Sequence, residues 1–363
     1  MSDAVEFEVP APRANPHFIG HDAAEAALLS AYRSGRLPHG WLLTGPRGIG
    51  KATLAFRFAR FLLSREAGGN GLFGDAPADL SVDPEHPAAR LVTSGGHSDL
   101  LTIERSYDHE KKRLRSEIVV GDVRELGSFL HLTPGFGGWR IVVVDSADEM
   151  NFAAQNALLK MLEEPPRQAL LLLVSHAPGR LLPTIRSRCR RLGLGPLAEG
   201  AVASLLRRYR PDLEEPELAP LTRLGAGSIG RALELSGETG LGLCREVAQL
   251  LQTLPALDIQ QLHKQGDRFS RATGADAFRG AGEFLTGWLA RLAHAAATGE
   301  APVELVPGEG AHMRRLLAGP RLDQWVALWE KVSRLLAGAE QADLDRRQVW
   351  IGALTTIEGL VRR

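Results

Sequence analysis

Residues 41–53 read Trp-Leu-Leu-Thr-Gly-Pro-Arg-Gly-Ile-Gly-Lys-Ala-Thr. Gly45, Gly50 and Lys51 match the spacing of a phosphate-cradling P-loop, G-x-x-x-x-G-K-[ST], up to its last position. Glycines in such a loop, Gly48 among them, let backbone N–H groups curl round a phosphate, and the lysine adds a point charge to it. The last position should carry a hydroxyl to hold Mg²⁺, but it is Ala52. Thr53 supplies that hydroxyl only if the loop shifts register by one residue. The segment is therefore built to cradle a nucleotide phosphate and poorly equipped to break one.

Hydrolysis at such a loop also needs an acid on a neighbouring strand, to organise Mg²⁺ and water. Ile141-Val142-Val143-Val144 is a fully apolar run ending in Asp145. That is the pattern of a buried parallel strand with a polar residue at its C-terminal edge. With a P-loop upstream, a nucleotide-site role for Asp145 is preferred to that of a turn cap. Active ATPases of this general type follow the Asp with a Glu that polarises the attacking water, and here the next residue is Ser146. Asp148 and Glu149 are expected to turn away along the following segment. Two catalytic features are missing together, which points to a domain that has kept its shape and lost turnover.

These residues need elements to hold them. Leu42–Leu43 reads as a short strand feeding the loop, and Lys51 to Leu63 as a helix with Leu54, Phe58 and Leu62 on one face. Gly68 to Gly96 is rich in Gly, Pro, Ala and Asp and reads as a loop or insertion. Leu100–Ile103 suits a strand, and Asp122 is placed to cap the helical pattern Val123, Leu126, Leu130. Ala153 to Leu162 predicts a helix stopped by Pro165-Pro166, and Leu170 to Val174 a second buried strand. Strands alternating with helices give an α/β domain with a parallel sheet. Past Pro196 the pattern turns helical. Ala201 to Tyr209, Leu218 to Leu224 and Ile229 to Leu235 form short helices, the middle one confined by Pro220 to the residues after it. From about Gly237 the spacing stays helical. Phe284, Trp288 and Leu292, then Leu322, Trp325, Trp329 and Val332, then Trp350, Leu354 and Ile357 are assigned to core packing. The expected division is an α/β nucleotide-binding-type domain over 1–195, a small helical domain over 196–238 and an all-α domain over 239–363. No internal repeats are visible.

The 363 residues balance 43 Lys and Arg against 43 Asp and Glu. No global field then draws the chain to nucleic acid or an anionic membrane. Lys111, Lys112, Arg113 and Arg115 form the densest basic cluster, suited to an exposed hairpin. They are either a solvated surface or a sequence-independent contact to DNA phosphates. Two cysteines, Cys189 and Cys244, exclude a disulfide framework and a four-cysteine zinc site. There is no run of about 18 apolar residues, and Ser2-Asp3-Ala4-Val5-Glu6 lacks the basic-then-apolar look of a secretion signal. A cytoplasmic location is expected.

One segment is specific. Asn156-Ala157-Leu158-Leu159-Lys160-Met161-Leu162-Glu163-Glu164-Pro165-Pro166 closely resembles the N-A-L-L-K-x-L-E-E-P-P segment of the bacterial clamp-loader AAA+ ATPases. Arg186-Ser187-Arg188-Cys189 carries the S-R-C motif of that family, and Gly227-Ser228-Ile229-Gly230-Arg231-Ala232-Leu233 looks like its sensor-2 helix. Order and spacing match from about residue 20 to 236. Beyond that the likeness to the family's collar domain is one of length and class. The pattern of losses resembles the subunit type that keeps S-R-C while its own nucleotide site decays.

The resemblance implies roles. Arg188 would reach a neighbour's nucleotide in trans as an arginine finger; taken alone it reads as a surface ion pair. Arg231 would stand over the chain's own, vestigial site, with Ser175 as the sensor-1 polar residue. Cys189 reads as a small buried residue. Many relatives carry a cysteine zinc module where this chain has Gly68 to Gly96 without cysteine; His86 and His97 are taken as surface residues and no zinc is expected. Binding of ATP or ADP is left open by the intact glycines and Lys51, and Mg²⁺ has no hydroxyl ligand at Ala52. Expected partners are motor and delta-type subunits in a hetero-pentamer, with the sliding clamp and primer-template DNA reached through the complex. An active ATPase using Thr53, and a nucleotide-binding switch, are the competing readings.

Overall fold

The computed structural model describes residues 9–65, 77–108, 113–135, 138–237, 240–341 and 344–362. They divide into two compact units. One runs to Asp212 and takes in Gly225–Arg231, and the other holds Leu213–Leu224 and the chain from Ala232 on. The short helices after Pro196 are thus shared between the two units.

Among the described residues the first unit has seven strands: β1 (Gly40–Thr44), β2 (Leu100–Ile103), β3 (Tyr107–Asp108), β4 (Arg113–Leu114), β5 (Arg140–Val144), β6 (Ala169–Ser175) and β7 (Arg190–Gly193). Five of them make a sheet in the order β2-β5-β6-β1-β7, parallel throughout. β3 and β4 pair antiparallel as a separate hairpin. Every residue of β1, β5 and β6 is buried. Such strands are apolar on both faces, as parallel strands covered by helices must be. Alternate side chains divide between the two faces. Leu43, Val143 and Leu172 pack with Leu54, Phe58 and Phe61 of the helix Lys51–Leu63. Leu42, Val142 and Leu171 pack with Leu126 and with Leu158 of the helix Phe152–Glu163. The α/β fold with a parallel sheet is as the sequence implies.

Several local expectations change. The helix Lys51–Leu63 is buried nearly all round, not on one face, because β strands, Leu28 and Val92 enclose it. The stretch read as a loop contains a helix, Pro87–Ser94. His86 caps it by accepting from the Ala88 N–H at 3.2 Å, Pro87 opens it, and Gly95 at φ 77° closes it. Composition hid these signals among the glycines and prolines around them. His97 is also buried, not a surface residue: its Nδ1 accepts from the Asp99 N–H at 3.1 Å, and burial lowers its pKa. Asp122 does not precede its helix. It is the third residue of Val120–Val123 and reaches back to accept from the Val119 N–H at 2.8 Å.

The second unit is helical. Helix Ala275–Thr298 packs against Gly240–Gln252 and Leu322–Gln341, and Arg346–Val361 packs against Ile259–Ser270 and Leu322–Gln341. Phe269 stands edge-on to Trp350 at 5.1 Å, and the Trp350 indole N–H donates to Gln265 at 3.2 Å. The aromatic positions assigned to packing are buried except for Leu322 and Trp329, which are 40% and 38% exposed. Those two lie at the margin of the buried face that carries Trp325 and Val332. Among the described residues no helix is long and apolar enough to cross a membrane.

Pro220 does not start its helix. It lies inside Glu215–Gly225. Burial of Leu218, Leu221 and Leu224 holds the helix together across a proline that gives up one backbone bond. Replacing it should restore that bond while loosening the unfolded chain slightly. Pro220→Ala is therefore expected to stabilise the protein by about 1–2 kcal/mol, read as a shift in the denaturant midpoint. Destabilisation would mean that the ring's packing outweighs the missing bond.

Candidate nucleotide site

The loop between β1 and the helix Lys51–Leu63 is held through its carbonyls. Lys51 Nζ donates to the carbonyls of Gly45, at 2.8 Å, and of Pro46. Ser228 Oγ donates to Arg47 O at 2.8 Å, and the Gly230 N–H to Gly48 O at 2.9 Å. His21 Nε2 meets Ile49 O at 2.9 Å, and the Leu54 N–H donates to Gly50 O at 3.0 Å. Each carbonyl from residue 45 to residue 50 thus has a partner inside the chain. Ser228, Gly230 and His21 were not singled out by sequence. Ser228 and Gly230 lay within the sensor-2 segment quoted for its arginine, and His21 carried no signal.

Close packing fixes two of the glycines. A Cβ on Gly45, at φ 151°, would come within 2.2 Å of Leu194 O. One on Gly48, at φ 73°, would come within 2.4 Å of Ser228 Oγ and 3.0 Å of the Gly230 Cα. Gly50 needs no space but sits at φ 100°, which L side chains avoid. The sensor-2 turn therefore rests directly on the tip of the phosphate loop.

Lys51 is only 5% exposed. Burial, against the opposing pull of Asp145 and Asp148, lowers its pKa from 10.5 to about 8. Ala52 packs its methyl against the core and offers no ligand. Thr53 is the third residue of the helix and is buried. One residue turns a helix by about 100°, so Thr53 does not occupy the direction of residue 52.

The acidic side differs from the sequence reading. Asp145 follows β5, and burial and then Glu104 raise its pKa. Ser146 takes the left-handed conformation, φ 57° and ψ 51°, and tightens the chain into the 3₁₀ turn Ala147–Glu149. That turn brings Asp148 back to the end of β6 instead of sending it away. Asp148 is 2% exposed, accepts from the His176 N–H at 3.0 Å and pairs with His176 Nε2 at 3.1 Å. Glu149 is taken by Arg105 at 3.0 Å. Both acids are committed to structural partners, and position 146, where a catalytic Glu would stand, is bent out of register. Ser175 lies beside Thr44 in the β1–β6 ladder and is fully buried. Arg231 follows the Ser228 turn, its N–H donating to Ser228 Oγ at 3.1 Å. The structure thus brings Gly45, Gly48, Gly50, Lys51, Asp145 and Ser175 to the strand ends of one sheet, where α/β proteins bind ligands.

A model of the family described as DNA polymerase III, delta subunit, matches residues 20–198. The chain is 38% identical over 226 residues to DNA polymerase III subunit delta' of Pseudomonas aeruginosa, covering 62% of each chain. It is 33% identical over 208 residues to that subunit of Escherichia coli, covering 57% of each. To subunit tau/gamma of Haemophilus influenzae it is 29% identical over 231 residues, 62% of this chain and 31% of that one. Through residues 20–198 the chain belongs to the bacterial clamp-loader family. The matched stretch spans about three fifths of the delta' relatives' own length.

The clamp-loader segment Asn156–Pro166 closes the helix Phe152–Glu163, whose last residue faces the S-R-C motif. Arg188 Nη2 pairs with Glu163 at 2.9 Å, and its Nη1 donates to Thr184 O at 3.2 Å. Both side chains stay more than a third exposed. Cys189 turns inward, and burial pushes its thiol up to about 12. Of the basic cluster, Arg113 lies in β4 and Arg115 follows it, exposed, its N–H donating to Ser106 O at 3.0 Å. Lys111 and Lys112 lie outside the described residues. Among the described residues no cluster of His, Cys, Asp and Glu is arranged to hold a metal ion.

The Lys51 clasp has a titration signature. Unfolded, the lysine keeps its proton to about pH 10.4; folded, it releases it near 8. Between those values the unfolded chain binds more protons, so stability rises with pH. The cost of burying the charge is present in full below pH 8. Relative to Lys51→Met, the wild type should gain up to about 3 kcal/mol between pH 8 and 10, measured by paired denaturation curves. A flat difference would mean that Lys51 reaches solvent.

Proposed function

We propose that the chain is the delta' subunit of a replicative clamp loader, cytoplasmic and without ATP turnover of its own. It would stiffen a hetero-pentameric ring of motor and delta-type subunits and reach the sliding clamp and primer-template DNA through that ring. The observation that carries this reading is the phosphate loop itself. Its lysine is spent on the loop's own carbonyls, residue 52 offers no metal ligand, and residue 146 no acid. The division into an α/β domain, a small lid and a collar belongs to the same proposal.

Arg188 is the residue through which such a subunit would act on a neighbour. Guanidinium is always charged and presents a planar fork of donors. Its Glu163 partner holds it at the surface, free to meet a phosphate that arrives with another chain. An arginine acting on charge that develops in the neighbour's transition state lowers the barrier far more than it tightens ground-state binding. The similarity to tau/gamma subunits favours the motor reading as the second choice. Under it Thr53 would serve in place of Ala52.

Labelled ATP separates these readings. The isolated chain is expected to show no magnesium-dependent hydrolysis; turnover abolished by Lys51→Ala would establish the motor reading. In a loader reconstituted with motor subunits, clamp and primed DNA, Arg188→Ala should leave assembly intact. It should slow hydrolysis at the site it serves by about 10³, with little change in nucleotide affinity, and Arg188→Lys should rescue little. Wild-type rates in an intact Arg188→Ala complex would return Arg188 to the role of a surface ion pair.

A further inference from the structure

A cavity lies away from the phosphate loop, and a buried cation opens onto it. It measures about 380 Å³ and lies between residues 14–16, the helix Lys51–Leu63, residues 80–84 and the helix Pro87–Ser94. Arg60 lines it at 8% exposure, nine residues beyond Lys51, or about 13 Å along the helix. One guanidinium N–H donates to Asn15 O at 2.7 Å. Among the described residues no carboxylate lines the cavity: Arg57 is taken up by Glu25 at 3.0 Å, and Glu85 makes a loose, exposed contact with Arg90 at 3.8 Å. Burial and the nearby Arg57 charge both lower the Arg60 pKa.

A guanidinium carries five N–H donors and stays charged in proteins. Burying one without a counter-charge is costly unless something anionic completes it. Most of the remaining wall is apolar, with Pro16, Leu80, Val82, Pro84 and Ala89; Arg57 also lines it, paired with Glu25, and Arg90 stands with Thr93 and Ser94 at the exposed side. The volume falls at the small end of ligand pockets, which are mostly apolar with a few convergent polar groups. We propose that this cavity binds a small organic oxyanion, a carboxylate or phosphate on a compact apolar body, with Arg60 as its anchor and Arg90 as a second donor. The apolar part lies against Leu80 and Val82, and neither Lys51 nor the phosphate loop takes part.

Calorimetric titration of the full chain with hexanoate, phenyl phosphate, hexanol and inorganic phosphate tests this. One or both amphipathic anions should bind saturably at one site, at least tenfold tighter than hexanol or inorganic phosphate; which of the two is preferred tells carboxylate from phosphate. Arg60→Gln should weaken that binding tenfold or more. Thr93→Trp, a filling change at an exposed position, should abolish it with the melting midpoint unchanged. If Arg60→Gln fails to fold, Thr93→Trp and Arg90→Ala carry the test. Anions that bind no tighter than inorganic phosphate, or equally well to Thr93→Trp, would overturn the proposal.

Discussion

The phosphate loop is held by what its carbonyls accept. Peptide carbonyls left unpaired in a packed interior are costly, and here a lysine, a serine, a histidine and two backbone amides attend to six consecutive ones. That arrangement ties β1, the helix Lys51–Leu63, the segment before Asp22 and the sensor-2 turn to one another. In a working P-loop the ligand organises the lysine. Here the lysine organises the loop. A nucleotide would have to draw an ammonium of reduced basicity away from two carbonyls, and would find no hydroxyl at residue 52 and no acid at residue 146. On the proposed reading, the loop keeps its shape through contacts within the chain.

The retained surface chemistry is of a different kind. Arg188 does nothing for its own loop, since it is paired with Glu163 at the end of another helix. Helix Phe152–Glu163 ends before Pro165-Pro166, and the inward turn of Cys189 fixes where the preceding arginine emerges. On the proposed reading, turnover could be lost and such an edge kept, because different parts of the fold support the two. The phosphate loop depends on β1 and the sensor-2 turn, the arginine edge on the end of the helix Phe152–Glu163.

Much of this was legible in the sequence, for identifiable reasons. The Ile141–Val144 run and the Leu170–Val174 run became strands because uninterrupted apolar residues of that length suit only the inside of a parallel sheet. The P-loop announced itself through glycines whose backbone angles no other residue takes. What stayed hidden depended on contacts distant in sequence or on backbone angles that side-chain type does not reveal. Nothing about Ser146 signals a left-handed turn, so Asp148 was placed facing away when it closes on His176. His21 carries no signal in the sequence and props Ile49. Pro220 was given the authority of a local rule, and three buried leucines overrode it. Helical spacing puts Leu322 and Trp329 beside Trp325 and Val332, but it cannot say where the buried face of a helix ends.

The contact between Gly48 and Gly230 has an evolutionary consequence. Each leaves room for the other, so a side chain at either position pushes the sensor-2 turn off the loop. Restoring a serine at residue 52 would return the metal ligand but leave the clasp closed; restoring the acid at residue 146 would meet a backbone already bent for another purpose. On the proposed reading, a loop that serves as a structural joint would gain turnover only through several coordinated changes, because its packing and its chemistry share the same backbone.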